Sequence, residues 1–460
     1  MDTALVLAGV VIFIQQRKQP RPFRHSSKRK RMKGALLSLF VWVGVPMLSL
    51  GPSADANADA PPPAALRDVL EIAKQRNPEI AAAQKRWESA RAQISVARSI
   101  PDLEFGVEYE GINQNTFDFG SAMETWYRVG QTIPFPSKLV YKGRAASFAA
   151  QREEAAYRTA ERDVFARVKE SYYALMFADR SVQISKENVE ILRKFTRIAA
   201  SRYGVGKTSQ SDVLRAQVEL SKANNMVVTL EQELQTVQAR LNALLDRKPN
   251  DPFGPLEEPR VLPLNKTYAE MESIALKERP EIRGAQRELE KMQAEVGAMK
   301  SEFLPDLQIE YGWRDYGGSL QAQNDSSVLF KLNVPLWFWR QKSQVSSAQS
   351  ERQRAAEMLR GAQAATRSEI QEFFVHVDTA RRLVELYLTT LLPQAEQSLR
   401  VAEAAYQSDR VDFLNLLDSD RTLIDFRLEY YRYLAEYGRG TAHLERVLGV
   451  DSDEFTGGRP

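Results

Sequence analysis

Two stretches of this chain alternate apolar and polar residues too strictly for a helix. Pro305-Asp306-Leu307-Gln308-Ile309-Glu310-Tyr311-Gly312-Trp313-Arg314 has a near-copy in the first half, Pro101-Asp102-Leu103-Glu104-Phe105-Gly106-Val107-Glu108-Tyr109-Glu110. In both, a period of two puts leucine, branched and aromatic residues on one face and Gln, Glu, Gly or Arg on the other, which is the signature of a strand. A run of about 9–11 such residues has the length and pattern of a tilted strand crossing a bilayer within a closed barrel. Each has a following partner: Val328-Phe330-Leu332-Val334 alternating with Leu329-Lys331-Asn333, and the weaker Thr125-Tyr127-Val129-Ile133.

These strands recur because the chain reads as a duplication. Asn77-Pro78-Glu79-Ile80 returns as Arg279-Pro280-Glu281-Ile282 and Ile133-Pro134-Phe135 as Val334-Pro335-Leu336. Glu170-Ser171-Tyr172-Tyr173 returns as Glu372-Phe373-Phe374-Val375 and Tyr203 as Tyr406, with the offset held between 201 and 204. Ordered agreement of this kind marks an internal repeat. The expected organisation is a leader over 1–56, a first repeat over 57–253, a linker over 254–264, a second repeat over 265–450 and a tail over 451–460. The linker follows from Pro249, Pro252, Pro255, Pro259 and Pro263, which no helix accommodates.

Each repeat should run short helix, medium helix, strand, strand, very long helix, turn, helix. The first copy places these at 66–76, 78–99, 102–111, 123–135, 140–203 and 210–246, and the second at 267–278, 280–302, 306–316, 326–336, 342–407 and 413–448. The fold class is therefore mainly α with a small β part. At 1.5 Å per residue the medium and last helices end to end match the very long one, so the pieces pair as antiparallel columns. The last helices carry uninterrupted seams, Val213, Ala216, Leu220, Ala223 onward and Leu416, Ser419, Leu423, Phe426 onward. The long helix of the first copy carries a stripe on two sides, which suits a palisade better than a bundle with one centre. Pro393 falls inside the other long helix, where a local kink is expected.

Composition narrows the function. The charged fraction is 27% and the net charge +3, but residues 1–56 hold nine Lys or Arg against two acids, so the rest is net acidic and gives no reason to propose nucleic acid as a partner. Lys28-Arg29-Lys30-Arg31, the apolar run from Ala35 to Leu50 and Ala54-Asp55-Ala56 form a secretory signal peptide, with Met32 a natural start. The chain has no cysteine, and His25, His376 and His443 are scattered, so no thiolate or histidine metal site is expected and no cofactor. No nucleophile, base and orienting group converge, so no enzyme is expected.

Four strands cannot close a barrel, and open edges in lipid leave backbone groups unpaired at several kcal/mol each. Identical copies must supply the missing strands. Small barrels begin at 8 strands, so two or three chains are the minimal answers; symmetry does not choose between 8 and 12, and a tube wide enough to conduct solutes favours 12, hence a homotrimer.

The doubled set of Asn77-Pro78-Glu79-Ile80, Pro280-Glu281-Ile282, Pro101-Asp102-Leu103, Leu304-Pro305-Asp306-Leu307 and Arg202-Tyr203-Gly204-Val205-Gly206 leading to Asp212-Val213-Leu214-Arg215-Ala216-Gln217 resembles the TolC-like outer-membrane efflux family. The resemblance covers residues 65 to 450. It implies a trimer with a 12-stranded barrel in the outer membrane and a periplasmic helical tunnel, docked on a periplasmic adaptor and an inner-membrane pump. It further implies a closed entrance at the helix tips, with Asp212 and Tyr406 matching the pair that holds it and Asp418 one acid of its ring. Asn415 stands at the other ring position, and Asp409 where the family has glycine. Ile133-Pro134-Phe135-Pro136-Ser137-Lys138-Leu139 is most similar to the heavy-metal cation efflux branch.

Other readings of the same residues set the alternatives. Glu104, Glu108, Glu110 and Glu310 either line a cation-attracting lumen or form an ordinary wet barrel wall. Asp212 is equally placed to cap the helix that follows it. Gly206-Lys207-Thr208 reads as a helix–helix turn, because the first glycine of a phosphate loop would fall on Ser201 inside a helix. For the whole chain the alternatives are the outer-membrane component of type I protein secretion, a periplasmic coiled-coil scaffold, and a helical pore-forming toxin.

Overall fold

The computed structural model describes residues 65–112, 118–316, 325–408 and 410–456. The expected leader with its signal peptide, and Asp409, lie outside the described residues. The described chain opens with α1 (Leu66–Arg76) and α2 (Pro78–Arg98), then β1 (Glu104–Glu110), β2 (Glu124–Ile133), α3 (Pro136–Gly204) and α4 (Gln210–Leu244). The same order follows again: α5 (Tyr268–Glu278), α6 (Pro280–Ser301), β3 (Asp306–Asp315), β4 (Asp325–Asn333), α7 (Phe338–Leu386), α8 (Leu392–Gln407) and α9 (Phe413–Leu448).

Local chemistry sets the breaks. Asn77 ends α1 and caps α2, its side-chain oxygen accepting from Glu79 N and Ile80 N while its amide donates to Leu244 O at 2.9 Å. Pro78 and Pro280 sit at first helical positions, where a missing N–H costs nothing. In the second copy Arg279 replaces Asn77. It is buried and spends its guanidinium on Thr366 Oγ1 and Glu369, both at 2.9 Å. Ser209 and Thr267 open α4 and α5 through capping boxes with Asp212 and Glu270. At the end of α9, Gly449 turns at φ +75°, and a Cβ there would stand 2.9 Å from Arg279 Cα.

The expected kink at Pro393 takes the form of a π turn, Tyr387–Leu391, joining α7 to α8. Proline lacks the N–H that would return to the preceding turn, and its ring crowds that carbonyl, so the ladder widens by one residue. Tyr387 fills the widened turn against Phe426 and Tyr433, with ring centroids 5.7 and 5.5 Å away.

β1-β2-β3-β4 form one antiparallel sheet in chain order, with β2 of the first half paired to β3 of the second. Lys138, buried near the start of α3, fastens helix to sheet through Asp306 at 2.9 Å and Glu302 at 3.2 Å. The helices run away from the sheet, α3 lying beside α2, α4, α6 and α9. Three apolar clusters hold them: one around Val69, Val168, Tyr172 and Leu241, an equivalent around Met271, Ile370, Tyr437 and Leu444, and a third toward the tips around Phe195, Ala216, Tyr406 and Phe413. The proline-rich segment is strapped to the first two by tyrosine hydroxyls, Tyr172 accepting from Glu257 N and Tyr437 bonding both Leu262 N and O. Among the described residues no helix is long and apolar enough to cross a membrane.

Candidate channel wall and entrance

The ladder registers sort the sheet into two faces. Opposite residues in antiparallel strands point the same way, so Phe105, Val107, Tyr127, Val129, Ile309, Tyr311, Val328, Phe330 and Leu332 share one face. Most are exposed, Phe105 at 76% and Phe330 at 66%, a contiguous apolar area that water does not tolerate in an isolated chain. Glu104, Glu108, Glu110 and Glu310 share the other face with Trp126, Arg128, Arg314 and Lys331.

The acids of that face are partly answered by bases. Arg128 reaches Glu108 at 2.8 Å and Glu310 at 3.7 Å, Lys331 meets Glu310 at 2.9 Å, and Arg314 forks onto Asp325 while touching Glu124 at 3.4 Å. Arg128 and Arg314 also lie on the Trp126 ring. Glu104 and Glu110 stand exposed. Below the sheet, at the start of α7, Leu336, Trp337, Phe338 and Trp339 form an exposed apolar collar, with Trp337 and Trp339 5.1 Å apart.

At the far end of the helices the structure brings Asp212, Thr208 and Tyr406 close together, the Tyr406 hydroxyl making no hydrogen bond among the described residues. The Thr208 hydroxyl donates to Asp212 Oδ2 at 2.6 Å, and Ser209 N donates to the same oxygen. These donors hold the Asp212 carboxyl below its usual range although partial burial works the other way. Tyr406 is buried against Phe413, with Arg202 over its ring at 4.7 Å and the same guanidinium donating to Tyr406 O at 2.6 Å. Burial pushes the Tyr406 phenol up, opposed by Thr208 and Arg202. Asp212 also closes the capping box with Ser209, so it caps and contacts at once.

Asn415 and Asp418 sit on the first turns of α9, both exposed, Asn415 N donating to the cap residue Asp412 at 3.0 Å. They border a depression shared with Arg215, Glu219 and Arg421. Sequence reasoning missed those three and Thr208. Burial opposes ionisation of Glu219, but hydrogen bonds from Arg421 and Lys222 win and hold it low.

The α9 seam also differs from the expected one. Asp420, not Ser419, is the buried polar residue, only 2% exposed, and it borders a cavity of about 510 Å³ with Asn188, Glu219, Arg421 and Asp425. Burial pushes its carboxyl up to about 7 against the pull of Arg421 and Arg427. The spacing from Leu416 to Asp420 is a helical neighbour step that could have shown this.

A small sheet with one apolar and one charged face, carried on long paired helices, defines the class: an outer-membrane channel with a helical extension. Comparison makes the assignment specific. The profile of the outer membrane efflux protein family matches residues 69–247 and again 272–450, and the chain belongs to that family. It is therefore an outer-membrane efflux channel, its sheet in the outer membrane and its helices in the periplasm. It is 24% identical over 395 residues to the cobalt-zinc-cadmium resistance protein CzcC of Cupriavidus metallidurans, covering 85% of this chain and 91% of that one. It is 25% identical to the protein CyaE of Bordetella pertussis over 78% of this chain and 84% of that one. Its fold matches the outer membrane protein VceC of Vibrio cholerae with a TM-score of 0.70 at 18% identity, over 84% of this chain and 96% of that one.

Proposed function

We propose that three copies of this chain close a 12-stranded barrel over a helical tunnel, forming the exit duct that a periplasmic adaptor joins to an inner-membrane pump for expelling divalent metal cations. The observation that carries the reading is the sheet. Its outer face is apolar and exposed, its inner face charged, and β1 and β4 leave both edges open, which lipid forbids in a single chain. The two stretches matched by the family profile, with one order of elements in each, support a duplicated unit on either side of the proline-rich linker.

In this reading Glu104, Glu108, Glu110 and Glu310 line the lumen. Arg128 and Lys331 temper the field there, so the wall passes cations without holding them. Asp212, held by Thr208, and the buried Tyr406 keep the entrance narrow, and Asn415 and Asp418 sit at its rim. The metal assignment follows the likeness to the cobalt-zinc-cadmium resistance protein. A strain lacking the chain should lose tolerance to cobalt, zinc and cadmium salts while keeping its tolerance to hydrophobic dyes. Loss of dye tolerance with metal tolerance intact would remove the metal assignment and leave the duct.

A further inference from the structure

The open edges carry the unused half of a joint that the chain makes once with itself. β2 and β3 come from different halves, pair with Ile133 opposite Leu307, and are locked where they leave the sheet by Asp306. Phe135 N donates to Asp306 Oδ1 at 3.0 Å and Lys138 Nζ to Oδ2 at 2.9 Å. The same parts recur, unjoined, at the outer strands. Phe135 precedes α3 and Lys138 is its third residue; Trp337 precedes α7 and Arg340 is its third residue. The turns match as well, Lys138 N bonding Phe135 O at 2.8 Å and Arg340 N bonding Trp337 O at 3.1 Å. Asp102 leads into β1 within Pro101-Asp102-Leu103 as Asp306 leads into β3 within Pro305-Asp306-Leu307. Asp102 and Arg340 are both exposed, and among the described residues neither has an ionic partner.

We propose that β4 of one copy pairs antiparallel with β1 of the next with Val334 opposite Leu103 and Asn333 opposite Glu104, and that Arg340 of the first copy holds Asp102 of the second. This rests on the oligomeric reading above and gives it a register. The equivalence behind it is set by the two hairpins, which superpose residue for residue: Glu104 faces Gly130 in the first and Gln308 faces Lys331 in the second. Substituting Leu103 for Leu307 and Val334 for Ile133 in the β2–β3 ladder then leaves one solution. Every residue of β1 and β4 is exposed, whereas β2 and β3 are mostly half-buried.

Side-chain chemistry agrees with that solution at points that did not enter it. Leu332 and Phe330 meet Phe105 and Val107 on the apolar face. On the charged face Lys331 falls opposite Gly106, where no side chain blocks it, between Glu104 and Glu108 of the next copy. A slip of one residue would turn apolar side chains into the lumen. Arg340 lies five positions beyond Pro335, whereas Lys138 lies four beyond Pro134. The longer, forked guanidinium bridges that extra step.

The chain has no cysteine, so engineered pairs report without background. The full chain carrying Asn333→Cys with Glu104→Cys, purified in detergent and oxidised, should run mostly as covalent trimer on non-reducing denaturing gels. The pair Asn333→Cys with Glu108→Cys, displaced beyond disulfide reach, should run as monomer. Particle mass, measured on the same samples without denaturant, separates the two claims. A trimer that cross-links through position 108 instead, or not at all, overturns the register. A particle that is not a trimer overturns the oligomeric reading. Arg340→Asp and Asp102→Arg should each lower the temperature at which the trimer dissociates in dodecyl sulfate, and the double exchange should restore it. Absence of that restoration overturns the clamp.

Discussion

Asp420 is the residue whose surroundings conflict most with its chemistry. Its carboxyl, moved up to about 7 by burial, binds a proton more tightly in the folded chain than in the unfolded one, where it titrates near its ordinary 3.8. The neutral form's contribution is therefore fully present below about pH 4 and is lost as the pH rises through about 7. Arg421 and Arg427 pull the other way, and Asn188, Glu219 and Asp425 border the same cavity. Asp420→Asn should stabilise the helical tips at pH 8 by on the order of 1–3 kcal/mol, with the gain vanishing toward pH 4, as read from thermal unfolding followed by circular dichroism. At the entrance, the Thr208 hydroxyl holds Asp212 beside the buried Tyr406. Asp212→Ala combined with Tyr406→Phe should raise single-channel conductance in planar bilayers, and Thr208→Val should move it part of the way. Unchanged conductance in the double variant would remove the pair from the gate.

At the scale of elements, the helices are defined by their ends more than by their middles. Asn77 alone satisfies two backbone N–H groups of α2 and a carbonyl of α4. Asn77→Ala should cost about 1–2 kcal/mol in denaturant unfolding, more than Ala substitutions on the exposed face of α2. The helix-to-sheet joint is stiffer. Lys138 is buried between Asp306 and Glu302, so Asp306→Ala combined with Glu302→Ala strands a charge and should cost about 3–5 kcal/mol, visible as a large loss of folded yield. The boundaries of these elements were legible because proline, capping residues and changes of hydrophobic period coincide in sequence. The π turn before Pro393 was legible only as a disturbance, since its form depends on Tyr387 finding Phe426 and Tyr433 across the interface with α9.

For the whole molecule, the two faces of the sheet define two solvents. Trp313 shares the apolar face and Trp337 and Trp339 form the collar, whereas Trp126 lies among arginines on the charged face. In single-tryptophan variants reconstituted with brominated lipids, emission from Trp313, Trp337 or Trp339 should be strongly quenched and that from Trp126 should not. Quenching of Trp126 would reverse the assignment of lumen and lipid.

Periodicity and the proline and capping signals were enough to determine strands, helices and their order, because each depends on residues a few positions apart. The partners of each charge were a different matter. Arg128 between Glu108 and Glu310, Tyr406 buried under Arg202, and Asp420 buried beside a cavity arise where segments distant in sequence meet. Only the tertiary structure decided them, because the energy of a charge depends on burial and on neighbours a few ångströms away, which no periodic pattern encodes.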